Sequence, residues 1–204
     1  VLPVYDYVMS TSATDPYCNT GFGDGSYIDL YGITGGAIAT NPGVTGDTSY
    51  WTSFSTANPV NFYGVEYSSV GFTDDGFAIF DPATNYSGSP WVPQAVPDAD
   101  SPNNLIAGLW QDMEIFYDAA LNHGVSLATA GPDMRVIEFD EIQEYGGSAE
   151  TWNFEFIIYS RDDTPGYYEF IVAYDDLDTV AGPLTVGIEN LDGTQGIALV
   201  NNAD

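Results

Sequence analysis

The sequence predicts an all-β fold, an antiparallel β-sandwich of jelly-roll type, and three observations carry that reading. Apolar residues recur with a period of two, and turn pairs such as Asp75-Gly76 interrupt them at short intervals. Only Ala119–Gly124 suggests a helical turn. The chain has 204 residues with 44% hydrophobic and 15% aromatic content. That is enough apolar material for one core, so a single domain is expected over residues 1–204.

Each element follows from the same logic. Val1–Gly25 is either a first strand or a loop packed on the sandwich, and Tyr27–Tyr31, Val65–Thr73 and Phe77–Phe80 are candidate strands. Asp75-Gly76, between Phe72 and Phe77, is the clearest hairpin signal. The stretch 83–103, rich in Pro, Asp and Ser, is expected to be a long surface loop, followed by a strand within Asn104–Phe116. Arg135–Glu141 alternates Ile137 and Phe139 with Glu138 and Asp140. Thr151–Ile158 places Trp152, Phe154, Phe156 and Ile158 on one face, and Tyr167–Tyr174 places Tyr168, Phe170, Val172 and Tyr174 inward. These are strands with one wet face, on which Glu138, Glu155 and Glu169 are expected. Gly146-Gly147, Pro165-Gly166 and Asp192-Gly193 supply further turns, and Leu184–Asn190 and Gly196–Val200 complete the set.

Charge narrows the function. Thirty acidic residues face two basic ones, Arg135 and Arg161, for a formal net charge of −28. Nucleic acid is excluded because its phosphates need Lys and Arg, and anionic membrane surfaces are disfavoured for the same reason. Such a surface suits high salt or millimolar divalent cations. Cys18 is the only cysteine, so neither an intramolecular disulfide nor a cysteine-based zinc site can form. No run of 18 apolar residues spans a membrane. A start at Val1, without a leader or initiator Met, is read as a piece of a longer protein.

From Asn61 onward the landmarks fall in a familiar order: Phe62-Tyr63-Gly64, Phe72–Phe80, Pro102–Met113, Trp152–Phe156, Thr185–Asn190 and Asp192-Gly193-Thr194. This order resembles a β-sandwich accessory domain found beside the catalytic domain of secreted bacterial subtilisin-like proteases and in other multidomain surface proteins. The similarity covers Tyr27 to Leu199. The chain departs from the pattern with Asp75-Gly76 for the usual Asn-Gly and with Gln111 for an acidic residue. The resemblance implies an extracellular, non-catalytic domain that serves neighbouring domains of its parent protein.

Three chemistries can be weighed on the residues. A serine triad would require His123 beside an activated Ser126, and no Gly-x-Ser-x-Gly elbow exists. Glycoside hydrolysis needs only two carboxylates across a cleft, with Glu138, Glu155 and Glu169 as candidates. Calcium binding is the stronger inorganic candidate, with Asp74 and Asp75, Asp98 and Asp100, and Asp112 with Glu114 as ligands. Asp112 and Glu114, if strand continues through them, share a face with Trp110. Asp175, Asp176 and Asp178 form a further cluster. Aromatics in or near loops, Tyr50, Trp51, Tyr86, Trp91 and Tyr117 (with Tyr17), could stack on a sugar or anchor a peptide.

The sequence therefore predicts a non-catalytic accessory or binding domain of a secreted bacterial multidomain protein, one that assists substrate contact or spaces domains. The alternatives are a calcium-dependent adhesin module for polysaccharide or peptide, and a jelly-roll glycosidase.

Overall fold

The computed structural model describes residues 7–15, 27–31, 39–46, 50–53, 58–81, 86, 90–130, 133–146, 150–160 and 169–203. Fourteen strands account for most of them: β1 (Ala39–Thr40), β2 (Tyr50–Ser53), β3 (Val60–Phe62), β4 (Val65–Tyr67), β5 (Ser69–Phe72), β6 (Phe77–Phe80) and β7 (Leu105–Trp110). Then follow β8 (Met113–Glu114), β9 (Gly124–Ala130), β10 (Met134–Glu144), β11 (Thr151–Tyr159), β12 (Phe170–Leu177), β13 (Leu184–Glu189) and β14 (Gly196–Ala203). One sheet runs β1-β9-β10-β11-β12, with β8 also pairing with β10. The second runs β14-β13-β7-β6-β5-β2, and β3 and β4 form a separate hairpin. Every pairing is antiparallel. The predicted sandwich is the observed fold.

Alternation decides what lies between the sheets. Val70, Phe72, Ala78, Phe80 and Ile106 of the second sheet meet Val125, Ile137, Phe139, Ile142, Trp152, Phe154, Phe156 and Ile158 of the first in one core. Phe170, Val172 and Tyr174 pack against it, as their spacing predicts. Phe139 stacks on Phe154 with centroids 4.5 Å apart and planes 10° apart. Gly108 lets the sheets approach, because a Cβ there would lie 2.8 Å from the Phe156 ring. In β10 a bulge carries the pattern onward. Phe139 pairs with Phe154 but Ile142 with Trp152, and the added residue lets both Phe139 and Ile142 face inward. Glu141, at φ 55°, donates its N–H to Asn153 Oδ1 at 2.7 Å.

Both outer faces are also partly covered, which the period-two pattern does not reveal. On the second sheet, Phe77, Ile79, Leu105, Ala107 and Trp110 pack with Val96. The loop expected over 83–103 is more than a surface excursion. Trp110 donates to Pro90 O at 2.6 Å, Thr185 to Gln94 O at 2.6 Å, and Val96 N to Asn201 Oδ1 at 2.7 Å. On the first sheet, Ile28 and Leu30 pack on Ala128, Val136, Ile157 and Tyr159.

Several expected boundaries are corrected. Tyr27–Tyr31 is not a strand; its Ile28 and Leu30 N–H groups bond to carboxylate side chains instead of a ladder. Val65–Thr73 splits at Ser68 into β4 and β5, and Asn104–Phe116 splits at a bend over 111–112 into β7 and β8. That bend removes the argument that Asp112 and Glu114 share the face of Trp110, since the two acids do not lie on one continuous strand. Ala119–Gly124 is a turn closed by an Asp118–His123 bridge and leading into β9, not a helical turn. Within Val1–Gly25, residues 7–15 form a loop whose Tyr7 packs on Phe62 and Phe170. Pro165-Gly166, Tyr167, Tyr168, Tyr17, Cys18 and Arg161 lie outside the described residues.

Candidate functional site

A pocket of about 170 Å³ opens where the β3–β4 hairpin meets the β13–β14 turn. It is lined by Phe62, Tyr63, Val65, Tyr67, Asn104, Asn190, Leu191 and Asp192. Tyr63 and Gly64 form the two-residue turn between β3 and β4, both at positive φ (48° and 79°), the type I′ geometry that matches strand twist. Gly64 N donates to Asn61 Oδ1 at 2.9 Å and ties the turn down. A bulky residue at positive φ is a backbone outlier, and such outliers concentrate at binding sites. Tyr63 is held there by edge contacts with Phe62 and Tyr7, at 4.9 and 4.7 Å.

The polar side of the pocket is equally fixed. Asn104, at φ 63°, donates through Nδ2 to Phe80 O at 2.8 Å and accepts the Tyr67 hydroxyl at 3.3 Å. Asn190 Oδ1 accepts Thr194 N and Gln195 N, both at 3.0 Å. Asp192 Oδ1 accepts the Thr194 hydroxyl at 2.6 Å, which holds its carboxyl below the usual carboxylate range. Beside these groups stand two exposed aliphatics, Val65 at 44% and Leu191 at 46% exposure. The result is a preset opening with apolar walls and a rim of amides and one carboxylate.

The second cluster is the carboxylate set considered for hydrolysis. Glu138 and Glu155 are directly opposed on β10 and β11, and Ser126 of β9 is opposed to Glu138 on its other side. They occupy the outer face, as alternation predicts, yet that face is not wet here. Glu138 is 3% exposed and Glu155 0%. Segment 27–31 lies over them: the Tyr27 hydroxyl and Leu30 N both donate to Glu138 Oε1 at 3.1 Å, and Ile28 N donates to Glu155 Oε1 at 2.8 Å. Burial pushes Glu138 up to about 7 and Glu155 up to about 9. Glu169 stands apart, interacting with Tyr7. Ser126 Oγ is buried with no hydrogen-bond partner among the described residues, so His123 is not bonded to it.

The other candidates disperse. Asp74 and Asp75 are buried in the β5–β6 turn, Asp98 and Asp100 share a local bond in the loop before β7, and Asp112 sits in the β7–β8 bend with Glu114 on β8. Among the described residues no group of three or more His, Cys, Asp or Glu is placed to hold a metal ion. Tyr86 leans on Phe77 and helps cover the second sheet. Trp91 and Tyr117 are exposed, the first in the loop over the second sheet and the second between β8 and β9 of the first. The side chains of Tyr50 and Trp51, on β2, lie outside the described residues. Sequence reasoning missed Tyr63, Val65, Tyr67 and Leu191 as a group; the one available signal was the Tyr63-Gly64 pair, a two-residue turn carrying an aromatic.

The family described as NIDO related matches residues 23–204, a span that contains the stretch Tyr27–Leu199. No curated protein and no solved structure matches the chain. No helix among the described residues is long and apolar enough to cross a membrane.

Proposed function

The chain belongs to the NIDO-related family, whose domains are typically extracellular, and from that premise we propose that it is a non-catalytic recognition module for a neutral glycan. The observation that carries this reading is the preset pocket between Tyr63 and Leu191, with tyrosine rings and aliphatic walls beside Asn104, Asn190 and Asp192. A sugar ring presents an apolar C–H face and a hydroxyl edge, and this wall and rim complement both. At about 170 Å³ the opening takes one ring, such as the end or a branch of a longer chain. A net charge of −28 repels anionic ligands and favours an uncharged one.

The placement of the acids supports binding over cleavage. Hydrolysis needs carboxylates that flank a substrate bond, and Glu138 and Glu155 are covered by segment 27–31. A place beside the catalytic domain of a secreted bacterial protease belongs to the same proposal and rests on the ordered motifs from Phe62 to Thr194.

A glycan array with wild type, Tyr63→Ala and Leu191→Asp tests the reading. The expected result is saturable binding to neutral oligosaccharides that both substitutions abolish. Binding that survives both, or binding to peptides alone, would overturn it. Arms with EDTA and with millimolar CaCl₂ show whether calcium assists.

A further inference from the structure

We propose that Glu138 and Glu155 share one proton, and that this pair is a latch which holds segment 27–31 on the first sheet and lets go as the pH rises. Directly opposed residues on antiparallel strands carry their Cβ atoms about 4.5–5.5 Å apart, and both side chains are sealed from solvent. Two ionised carboxylates cannot occupy such a site together, and one of them is driven to keep its proton. Hydrogen bonding identifies which. Glu138 Oε1 accepts two donors, the Tyr27 hydroxyl and Leu30 N, and so suits the charged form. Glu155 accepts one, and its buried Oε2 has no hydrogen-bond partner among the described residues. A proton on Glu155 Oε2 turns that orphan acceptor into a donor, and Glu138, its register partner on β10, acts on Glu155 electrostatically. The pair then carries a single negative charge, matched by three donors from segment 27–31.

A cation would be the other way to relieve the repulsion, and it fits less well. Calcium takes six to eight oxygens. Here two carboxylates and the Ser126 hydroxyl supply few, each glutamate already holds a donor, and the site is closed to water.

The surrounding groups set the direction of the pH response. Asp29 of the segment itself, Asp140 of β10 and Asp175 of β12 act electrostatically on this face, as do Tyr27 and, through Asp140, His123. Of these, Asp140 gains negative charge as pH rises, while burial keeps the Tyr27 hydroxyl protonated. Burial pushes Asp140 up to about 6, Glu138 up to about 7 and Glu155 up to about 9. Carboxyls raised in the folded state hold the segment most firmly below their unfolded values of about 4, and that hold is lost as pH climbs through the folded values. Between about pH 7 and 9, the closed form retains one proton that the open form gives up.

Amide hydrogen exchange of Ile28 and Leu30, normalised to β13 and to intrinsic rates, tests the latch. In wild type, protection should fall about tenfold per pH unit between pH 7 and 9, the slope for release of one proton. In Glu155→Gln, whose amide supplies a permanent donor, protection should stay level over that range. Level protection in wild type, or a pH slope unchanged in Glu155→Gln, would overturn the proposal. Should the variant not fold, infrared spectroscopy of wild type at pH 8 decides instead. Buried Glu189 is also raised, to about 8, so the spectrum is compared with that of Glu189→Gln: a protonated-carboxyl band that persists there upholds the shared proton, and its absence refutes it.

Discussion

Replacing Gly76 by Ala should be among the most damaging single-methyl changes in the chain. Gly76 sits at φ 72° in the β5–β6 turn, and a Cβ there would lie 2.2 Å from Leu109 O and 2.3 Å from Met113 Cε. The glycine also anchors β7, because its carbonyl accepts Gly108 N and Leu109 N, both at 3.1 Å. Placing a non-glycine residue in the left-handed region costs about 1–2 kcal/mol. Forcing a methyl against fixed backbone adds about 1–3 kcal/mol, and weakening the paired acceptor bonds adds about 1 kcal/mol more. The total centres near 4.5 kcal/mol, which for a domain of this size lowers Tm by about 9–18 °C. Gly146→Ala is the internal control: Gly146 has φ 92° but, among the described residues, nothing lies within 4 Å of its Cβ position, so it should lose only the conformational part. The assay is calorimetric or fluorescence-monitored melting of both variants beside wild type. If Gly76→Ala melts no lower than Gly146→Ala, the turn is not docked on β7 as described.

Two further outcomes follow from the core and the surface. Phe139→Ala removes a ring stacked on Phe154 and edge-on to Phe72 and Phe156; denaturant unfolding should show a loss of about 3–5 kcal/mol, and a loss below about 1 kcal/mol would contradict the packing. With a net charge of −28, raising NaCl from about 0.05 to about 1 M should raise Tm, because the screening length drops to about 3 Å. A Tm that falls with salt would contradict net repulsion among the acids.

The fold was readable because alternation is a local property. Trp152, Phe154, Phe156 and Ile158 announce an inward face whatever lies opposite, and Asp75-Gly76 announces its own turn. Faces are legible; what covers them is not. Glu138 and Glu155 do point outward, but segment 27–31 closes over them, and no pattern within 27–31 states which sheet it crosses. Reasoning along one strand also failed where the strand stopped, as at the 111–112 bend between Trp110 and Met113. The pocket is the most distant from the sequence. Tyr63 and Leu191 meet only because β3–β4 and β13–β14 turns end at the same place, which depends on sheet order rather than on either local segment.

The most direct test of the central claim is chemical-shift mapping by NMR while a neutral oligosaccharide taken from the array is titrated into wild-type protein. The account predicts saturable shifts confined to Tyr63, Val65, Tyr67, Asn104 and Asn190–Asp192, with Glu138 and Glu155 unmoved. Shifts centred on Trp91 or Tyr117, or cleavage of the oligosaccharide that disappears in Glu138→Gln, would contradict it.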